Sequence, residues 1–227
     1  MYLRFSVPIA LTAILLAGCA HKKHARRIPP PPAPPPPAAA PKPGYTETGV
    51  ASWYGHPYHG RRAANGEIYD MEKLTAAHRT LPFDTWLRVV NLDNSKTVEV
   101  RITDRGPFVE GRIVDLSHAA ARAIDMIGPG IARVRIEVIR TPSYVPPALF
   151  AVQVGAFRDR ANAERLRAEM QSRYGSARLI QRADSPDLWR VLVGSEATEE
   201  SAKGLVERIR KETGEKSAAF VVRVDSV

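Results

Sequence analysis

Thr97-Val98-Glu99-Val100-Arg101-Ile102-Thr103-Asp104-Arg105-Gly106-Pro107-Phe108 is the stretch that decides the fold class. Val98, Val100 and Ile102 share one face, and Glu99, Arg101 and Thr103 share the other, the period of a half-buried strand. Gly106-Pro107 ends it in a turn. Asp104 therefore stands at a strand exit, a rigid place for an acid with room in front of it for a substrate. Its plainer role is that of a turn aspartate bonding its own backbone.

Working outward, the neighbouring segments are also short and strand-like. Val50 to Tyr54 and Leu74 to His78 read as strands, with His56-Pro57-Tyr58-His59-Gly60 and Asn65-Gly66 as turns between them. Trp86 to Val90 and Lys96 to Thr103 flank Leu92-Asp93-Asn94-Ser95, a hairpin turn. Leu116 to Met126 reads as the one helix of this region, with Ser117 as N-cap. After Gly128-Pro129-Gly130, the residues Ala132, Val134, Ile136 and Val138 alternate as a last strand. Many short strands with one helix predict a small closed β-barrel over residues 45–141.

The loops of that barrel carry the candidate chemistry: Tyr54, His56, His59, Asn65, Glu67, Asp70, His78, Asp104 and Arg105. Carboxylates gathered in one site raise one another's pKa, which is how an acid is kept protonated for general acid catalysis. Spacing alone does not bring Asp70 and Asp104 together; the fold must. His56 and His59 with Asp70 or His78 are conceivable zinc ligands, but there is no His-Glu-x-x-His and no cysteine among these residues. No Gly-x-Ser-x-Gly elbow is present for a serine nucleophile. The expectation is an enzyme working with carboxylates, with no metal and no cofactor.

Residues 142–147 hold Pro142, Pro146 and Pro147, a short stiff joint. Beyond it the chain repeats itself. Val152-Gln153-Val154-Gly155 is echoed by Val191-Leu192-Val193-Gly194, and each glycine precedes a leucine, Leu166 or Leu205, at the same spacing. Asp159 to Tyr174 and a segment around Ala202, Leu205, Val206 and Ile209 have helical periodicity, the second stopped by Gly214. Two βαβ halves over residues 148–227 predict a four-stranded sheet backed by two helices. Gln153, Arg190, Leu192, Arg223 and the group Arg178, Gln181 and Arg182 are read as its exposed side. Paired sheet aromatics of the kind that stack RNA bases are missing.

The formal charge of +9 suggests nucleic acid until it is mapped. Residues 45–140 carry 13 basic and 12 acidic side chains, and residues 149–227 carry 14 and 12. The excess sits on Arg4, Lys22, Lys23, Arg26, Arg27 and Lys42, outside both folded regions. No nucleic-acid partner is expected; acidic lipid headgroups suit a basic N-terminal segment better. Residues 1–18 read as an export signal, with Arg4 ahead of an apolar run from Val7 to Leu16. Leu16-Ala17-Gly18-Cys19 resembles a bacterial lipobox, which implies cleavage before Cys19 and lipidation of the chain's single cysteine. Residues 19–44, with prolines from Pro29 to Pro37 broken only by Ala33, form a semi-rigid polyproline spacer.

Ala51-Ser52-Trp53-Tyr54-Gly55, His59-Gly60-Arg61, Ala64-Asn65-Gly66-Glu67, Tyr69-Asp70-Met71, Leu74-Thr75-Ala76-Ala77-His78, Thr80-Leu81-Pro82-Phe83, Asp104-Arg105-Gly106-Pro107-Phe108 and Gly111-Arg112-Ile113-Val114-Asp115-Leu116-Ser117 resemble the rare lipoprotein A family. The resemblance implies a six-stranded double-psi β-barrel and an endolytic lytic transglycosylase of bacterial peptidoglycan, leaving 1,6-anhydromuramyl ends. It implies Asp104 as catalytic acid, with Glu67, Asp70 and His78 in the same groove and Tyr54, Asn65 and Arg105 contacting substrate. This chain departs from the family at Ala63, where threonine is usual, and at Asp84, often glycine.

Phe150 to Phe157, Asn162-Ala163 and Trp189 to Gly194 resemble the SPOR domain, a small α+β unit of βαβ-βαβ, ferredoxin-like form. That implies binding to glycan strands stripped of stem peptides at the division septum, with Gln153 on the contact face. The resemblance thus implies a lipid-anchored envelope protein facing the periplasm, in the outer membrane and enriched at septa. Its partners are then denuded glycan, a membrane and divisome proteins. Two rivals remain: a non-cleaving glycan-binding or divisome scaffold with the same parts, and a hydrolase of another polysaccharide, which would leave reducing ends.

Overall fold

The computed structural model describes residues 41–146, 148–182, 185–214 and 218–225. The signal segment, Cys19 and the spacer up to residue 40 lie outside the described residues.

Six strands close a barrel: β1 (Thr46–Tyr54), β2 (Thr75–Ala77), β3 (Trp86–Asn91), β4 (Thr97–Asp104), β5 (Arg112–Ser117) and β6 (Ile131–Arg140), in the order β1-β5-β2-β4-β3-β6. Two of the pairings, β1 with β5 and β2 with β4, are parallel, and the others are antiparallel. The alternation that defined β4 points Val98, Val100 and Ile102 inward, where they meet Leu87, Val89, Val114, Leu116, Val134, Ile136 and Val138. Closing the sheet on itself buries this stripe and leaves no free edge. Asp104 is the last residue of β4, as its place in the sequence predicts.

The helix is shorter than its periodicity suggests. It is α1 (His118–Ala123), not Leu116 to Met126. Leu116 and Ser117 belong to β5, which the helical pattern conceals; their backbones pair with Trp53 and Tyr54 of β1. Ser117 still caps the helix, accepting the N–H of Ala120, and Asp125 at φ 54° turns the chain out of it.

The second domain contains β7 (Ala148–Phe157), α2 (Arg160–Tyr174), β8 (Ala177–Arg182), β9 (Ser185–Glu196), α3 (Glu199–Thr213) and β10 (Phe220–Asp225). Its sheet order, β10-β7-β9-β8, is antiparallel throughout and ferredoxin-like. Asp159 and Thr198 cap the helices by accepting the N–H groups of Asn162 and Ser201. The repeated glycine-to-leucine spacing has a physical cause. A Cβ on Gly155 would lie 2.9 Å from the Leu166 side chain, and one on Gly194 would lie 2.6 Å from that of Leu205. Each glycine lets a helix leucine close onto its strand.

One face of this sheet carries Val152 and Val193 against the helix residues Met170, Leu205, Val206 and Ile209. The opposite face is not open. Ala151, Leu192, Phe220 and Val222 form a second buried cluster, and Phe108 of the barrel packs into it. Arg190 lies over the Phe108 ring at 5.0 Å, Arg79 lies over Phe220 at 5.2 Å, and the Arg223 N–H donates to Arg79 O at 3.1 Å. Gln153, Arg190, Leu192 and Arg223, expected to be exposed, are therefore all buried. Arg223 also alternates onto the side of Val221, with a guanidinium N–H donating to Pro146 O.

Candidate active site

The end of β4 opens on a cleft of about 240 Å³. Ser52, Trp53 and Tyr54 from β1, Tyr58, Ala77 from β2, Asp104 to Gly106, Phe108, and Arg112 and Asp115 from β5 line it. Aromatic walls with a few convergent polar groups are the usual make-up of a small-molecule site. At Gly106, φ is 147°, a conformation that side-chain-bearing residues rarely adopt, so the turn under the cleft needs glycine.

Asp104 is 8% exposed. Its Oδ1 accepts the N–H of Arg105 at 2.8 Å, the turn bond of the plainer reading, and the N–H of Ala64 at 3.0 Å. The residue is thus both anchored in its own turn and presented to the cleft. The loop that carries Ala64 is fastened twice more: Asn65 N–H donates to Thr103 O, and Ala63 N–H donates to Glu67 O.

The other expected site residues are dispersed around this centre. Tyr54 lines the cleft, stacked on Tyr69 with ring centroids 4.4 Å apart, and the buried Tyr69 hydroxyl donates to Tyr54 O. Burial raises the Tyr69 pKa and keeps it a donor. Arg105 reaches the cleft wall, but its Nη1 donates to the carbonyls of His78 and Leu81 and its guanidinium lies 3.7 Å from the Phe83 ring centroid. Asn65 shapes the turn, its Oδ1 accepting the Glu67 N–H.

Glu67 is not among the cleft-lining residues. It pairs with Arg101 through both oxygens at 2.8 and 2.7 Å, and Arg101 also holds Asp84 at 2.7 Å. The Arg101 guanidinium keeps the Glu67 carboxyl below its usual range. Asp84 sits at φ 63°, which accounts for the glycine usual there, while Ala63 is buried under the loop. Asp70 is a turn residue: its Oδ1 accepts the Glu72 N–H and lies 3.8 Å from His59. His78 is buried with Nδ1 accepting the N–H groups of Thr80 and Leu81, so its proton is on Nε2, 3.5 Å from Glu47. Burial works against the Glu47 charge, but His78, Arg79 and Lys203 hold its pKa low. His78 orients neither Glu67 nor Asp70: its partners are its own loop and Glu47. Gln153, on the covered sheet face, is likewise not presented to solvent. Among the described residues no three histidine, cysteine or acidic side chains gather to hold a metal ion.

What the sequence reading missed is Asp115. Its motif, Gly111 to Ser117, is visible in the sequence, but with a helix expected from Leu116 the residue was assigned to no element, whereas it lies within β5. The Ser52 hydroxyl donates to its Oδ1, Arg112 Nε is 3.8 Å away, and burial raises its pKa despite the opposing pull of Ser52, Arg112 and Arg79.

Residues 46–136 match the family described as "Lytic transglycolase", and residues 146–223 match the SPOR domain. The endolytic peptidoglycan transglycosylase RlpA of Campylobacter jejuni is 38% identical over 205 residues, which cover 79% of this chain and 73% of that protein. The chain belongs to the RlpA family. The RlpA protein of Vibrio cholerae is 54% identical over 104 residues, 46% of this chain and 40% of that protein. The Helicobacter pylori J99 member is 37% identical over 70% of this chain and 60% of its own length. The chain thus spans less than two thirds of two of these three RlpA relatives.

Proposed function

We propose that this protein is an endolytic lytic transglycosylase that cleaves peptidoglycan between N-acetylmuramic acid and N-acetylglucosamine, acting on glycan strands freed of stem peptides at the division septum. The observation that carries this is Asp104. A carboxylate fixed at the end of a barrel strand lines a cleft whose rings, Trp53, Tyr54, Tyr58 and Phe108, suit the flat faces of sugars.

The reaction moves protons and needs no water. The bond between muramyl C1 and the O4 of the next sugar breaks, and O4 takes up a proton. The muramyl C6 hydroxyl then closes on C1 and gives up a proton, which leaves a 1,6-anhydro end. Asp104 is the proton-transfer carboxylate that touches these atoms. Glu67 is a positioning residue: its clamp on Arg101 braces the loop whose Ala64 N–H holds Asp104. His78 positions Arg105 by fixing the loop whose carbonyls bind it.

The SPOR domain recognises the denuded strands and brings the barrel to them. Lipidation at Cys19 and the proline spacer hold the folded part off a membrane, the outer membrane in this reading, on its periplasmic side, with divisome proteins as neighbours. Mass spectrometry of products from peptide-free glycan tests the assignment. Anhydromuramyl ends are expected; reducing ends would make the protein a hydrolase, and intact strands a binding protein.

A further inference from the structure

The register of the barrel places two aspartates on either side of one residue. Ala77 of β2 pairs with Asp104 of β4 on one side and with Asp115 of β5 on the other. With strands about 4.8 Å apart, the two aspartate backbones are about 9.6 Å apart, and both side chains line the same cleft. Both aspartates thus border the cleft on either side of Ala77, so a substrate lying over that residue is within reach of either.

The two groups are held differently. Asp104 takes two backbone N–H bonds on Oδ1, from Ala64 and Arg105, which fix its carboxylate at the end of β4. Asp115 takes a hydroxyl donor on Oδ1, while its Oδ2 lies beside Gly106 at the cleft floor. Its side chain is 18% exposed, enough to reach a substrate and little enough to disfavour charge. The charged groups around it are Arg112 on its own strand, Arg79 in the loop after β2, and Asp104 and Arg105 at the end of β4. Burial outweighs the two arginines that favour its charge, and the pKa is raised. Two carboxyl groups lining one cleft, one buried beside a hydroxyl donor and one fixed by backbone N–H groups, can divide the work of acid and base.

We infer that Asp115 is a second catalytic residue of the cleft, the acid that protonates the leaving O4, and that Asp104 is the base that takes the proton from the muramyl C6 hydroxyl. This rests on the transglycosylase reading above. The balance closes within the site: one proton passes from Asp115 to O4, one passes from O6 to Asp104, C1–O4 breaks and C1–O6 forms. Solvent then returns a proton to Asp115 and removes one from Asp104.

The test uses the full chain and two substrates. One is peptide-free glycan, whose leaving sugar needs a proton. The other is a glycan fragment ending in a 4-nitrophenyl N-acetylmuramyl glycoside, whose leaving group does not. Asp115→Asn keeps an acceptor for Ser52 and should lower the rate on glycan by about 10²- to 10⁴-fold, the usual worth of general acid catalysis, with KM little changed. It should cleave the nitrophenyl substrate at near the parent rate, whereas Asp104→Asn should fail on both. Ser52→Ala removes a group that lowers the Asp115 pKa, so the alkaline limb of the glycan pH profile should move to higher pH.

Equal loss on both substrates in Asp115→Asn, or no loss on either, overturns the inference and leaves the transglycosylase reading intact. So does a Ser52→Ala profile that does not move. A parent chain that yields no anhydro ends overturns the reading itself, and the inference with it.

Discussion

Replacing His78 by alanine separates a structural role from a chemical one. His78 is 5% exposed, and its Nδ1 is the acceptor for two backbone donors, Thr80 N–H at 3.2 Å and Leu81 N–H at 3.0 Å. Alanine leaves both donors unpaired in a place with little water. Each such orphan costs about 1–3 kcal/mol, so a total of about 3 kcal/mol is a moderate figure. In a domain of this size each kcal/mol lowers Tm by about 4–8 °C, which makes the expected fall about 12–24 °C. The same loop supplies the carbonyls that hold Arg105, so the cleft wall loosens with it. His78→Asn offers a side-chain carbonyl near the Nδ1 position and should recover about half of the loss. Thermal unfolding followed by circular dichroism, alongside glycan cleavage, is the assay. Activity should track the recovered stability across the two variants. A His78→Ala protein that melts within about 2 °C of the parent yet cleaves nothing would refute this reasoning and put the ring on the substrate.

Other consequences are also open to measurement. Phe220→Ala removes a buried ring that faces Phe108 and Arg79; at about 3 kcal/mol for the lost burial it should shift the docked sheet about 10²-fold toward separation. Faster amide exchange in β7 and β10 and faster proteolysis at the joint of residues 142–147 should follow, and unchanged exchange would count against the docking. Gly194→Ala forces a Cβ to 2.6 Å from Leu205 at φ 79° and should destabilise the second domain by about 1–3 kcal/mol, with cleavage by the barrel retained. The Glu47 pKa is lower in the fold than its ordinary 4.5, so its stabilisation is present above that value and disappears as pH falls through the folded pKa. Asp115 has the opposite sign: its pKa is above 3.8, so stability declines as pH rises from there through the folded value. Melting curves of Glu47→Gln and Asp115→Asn between pH 3 and 7 should lose these opposite slopes.

The barrel was legible because its strands are amphipathic with a period of two and its turns carry glycine and proline; β4, β6 and the hairpin at Leu92 to Ser95 follow directly. β5 was not, because Leu116 and Ser117 also satisfy a helical pattern and only parallel pairing with β1 distinguishes the two. The same misreading concealed Asp115, whose partner Ser52 is 63 residues away in sequence. Asp104 could be placed from local pattern alone. The partners of Glu67 and His78 could not, since Arg101 comes from β4 and Glu47 from β1. In the second domain, alternation correctly put Gln153 and Leu192 on the face away from the helices. What alternation does not contain is that Phe108 and Arg79 cover that face.

The central claim is that the carboxylate at the end of β4 transfers a proton during cleavage of a muramyl linkage. Asp104→Asn keeps an oxygen to accept the N–H groups of Ala64 and Arg105, so the turn survives the change. The direct measurement is the rate at which 1,6-anhydromuramyl ends appear from peptide-free glycan, for the parent and for this variant at matched folded concentration. The account predicts a loss of at least about 10²-fold with Tm nearly unchanged. Release of anhydro ends at the parent rate would contradict it.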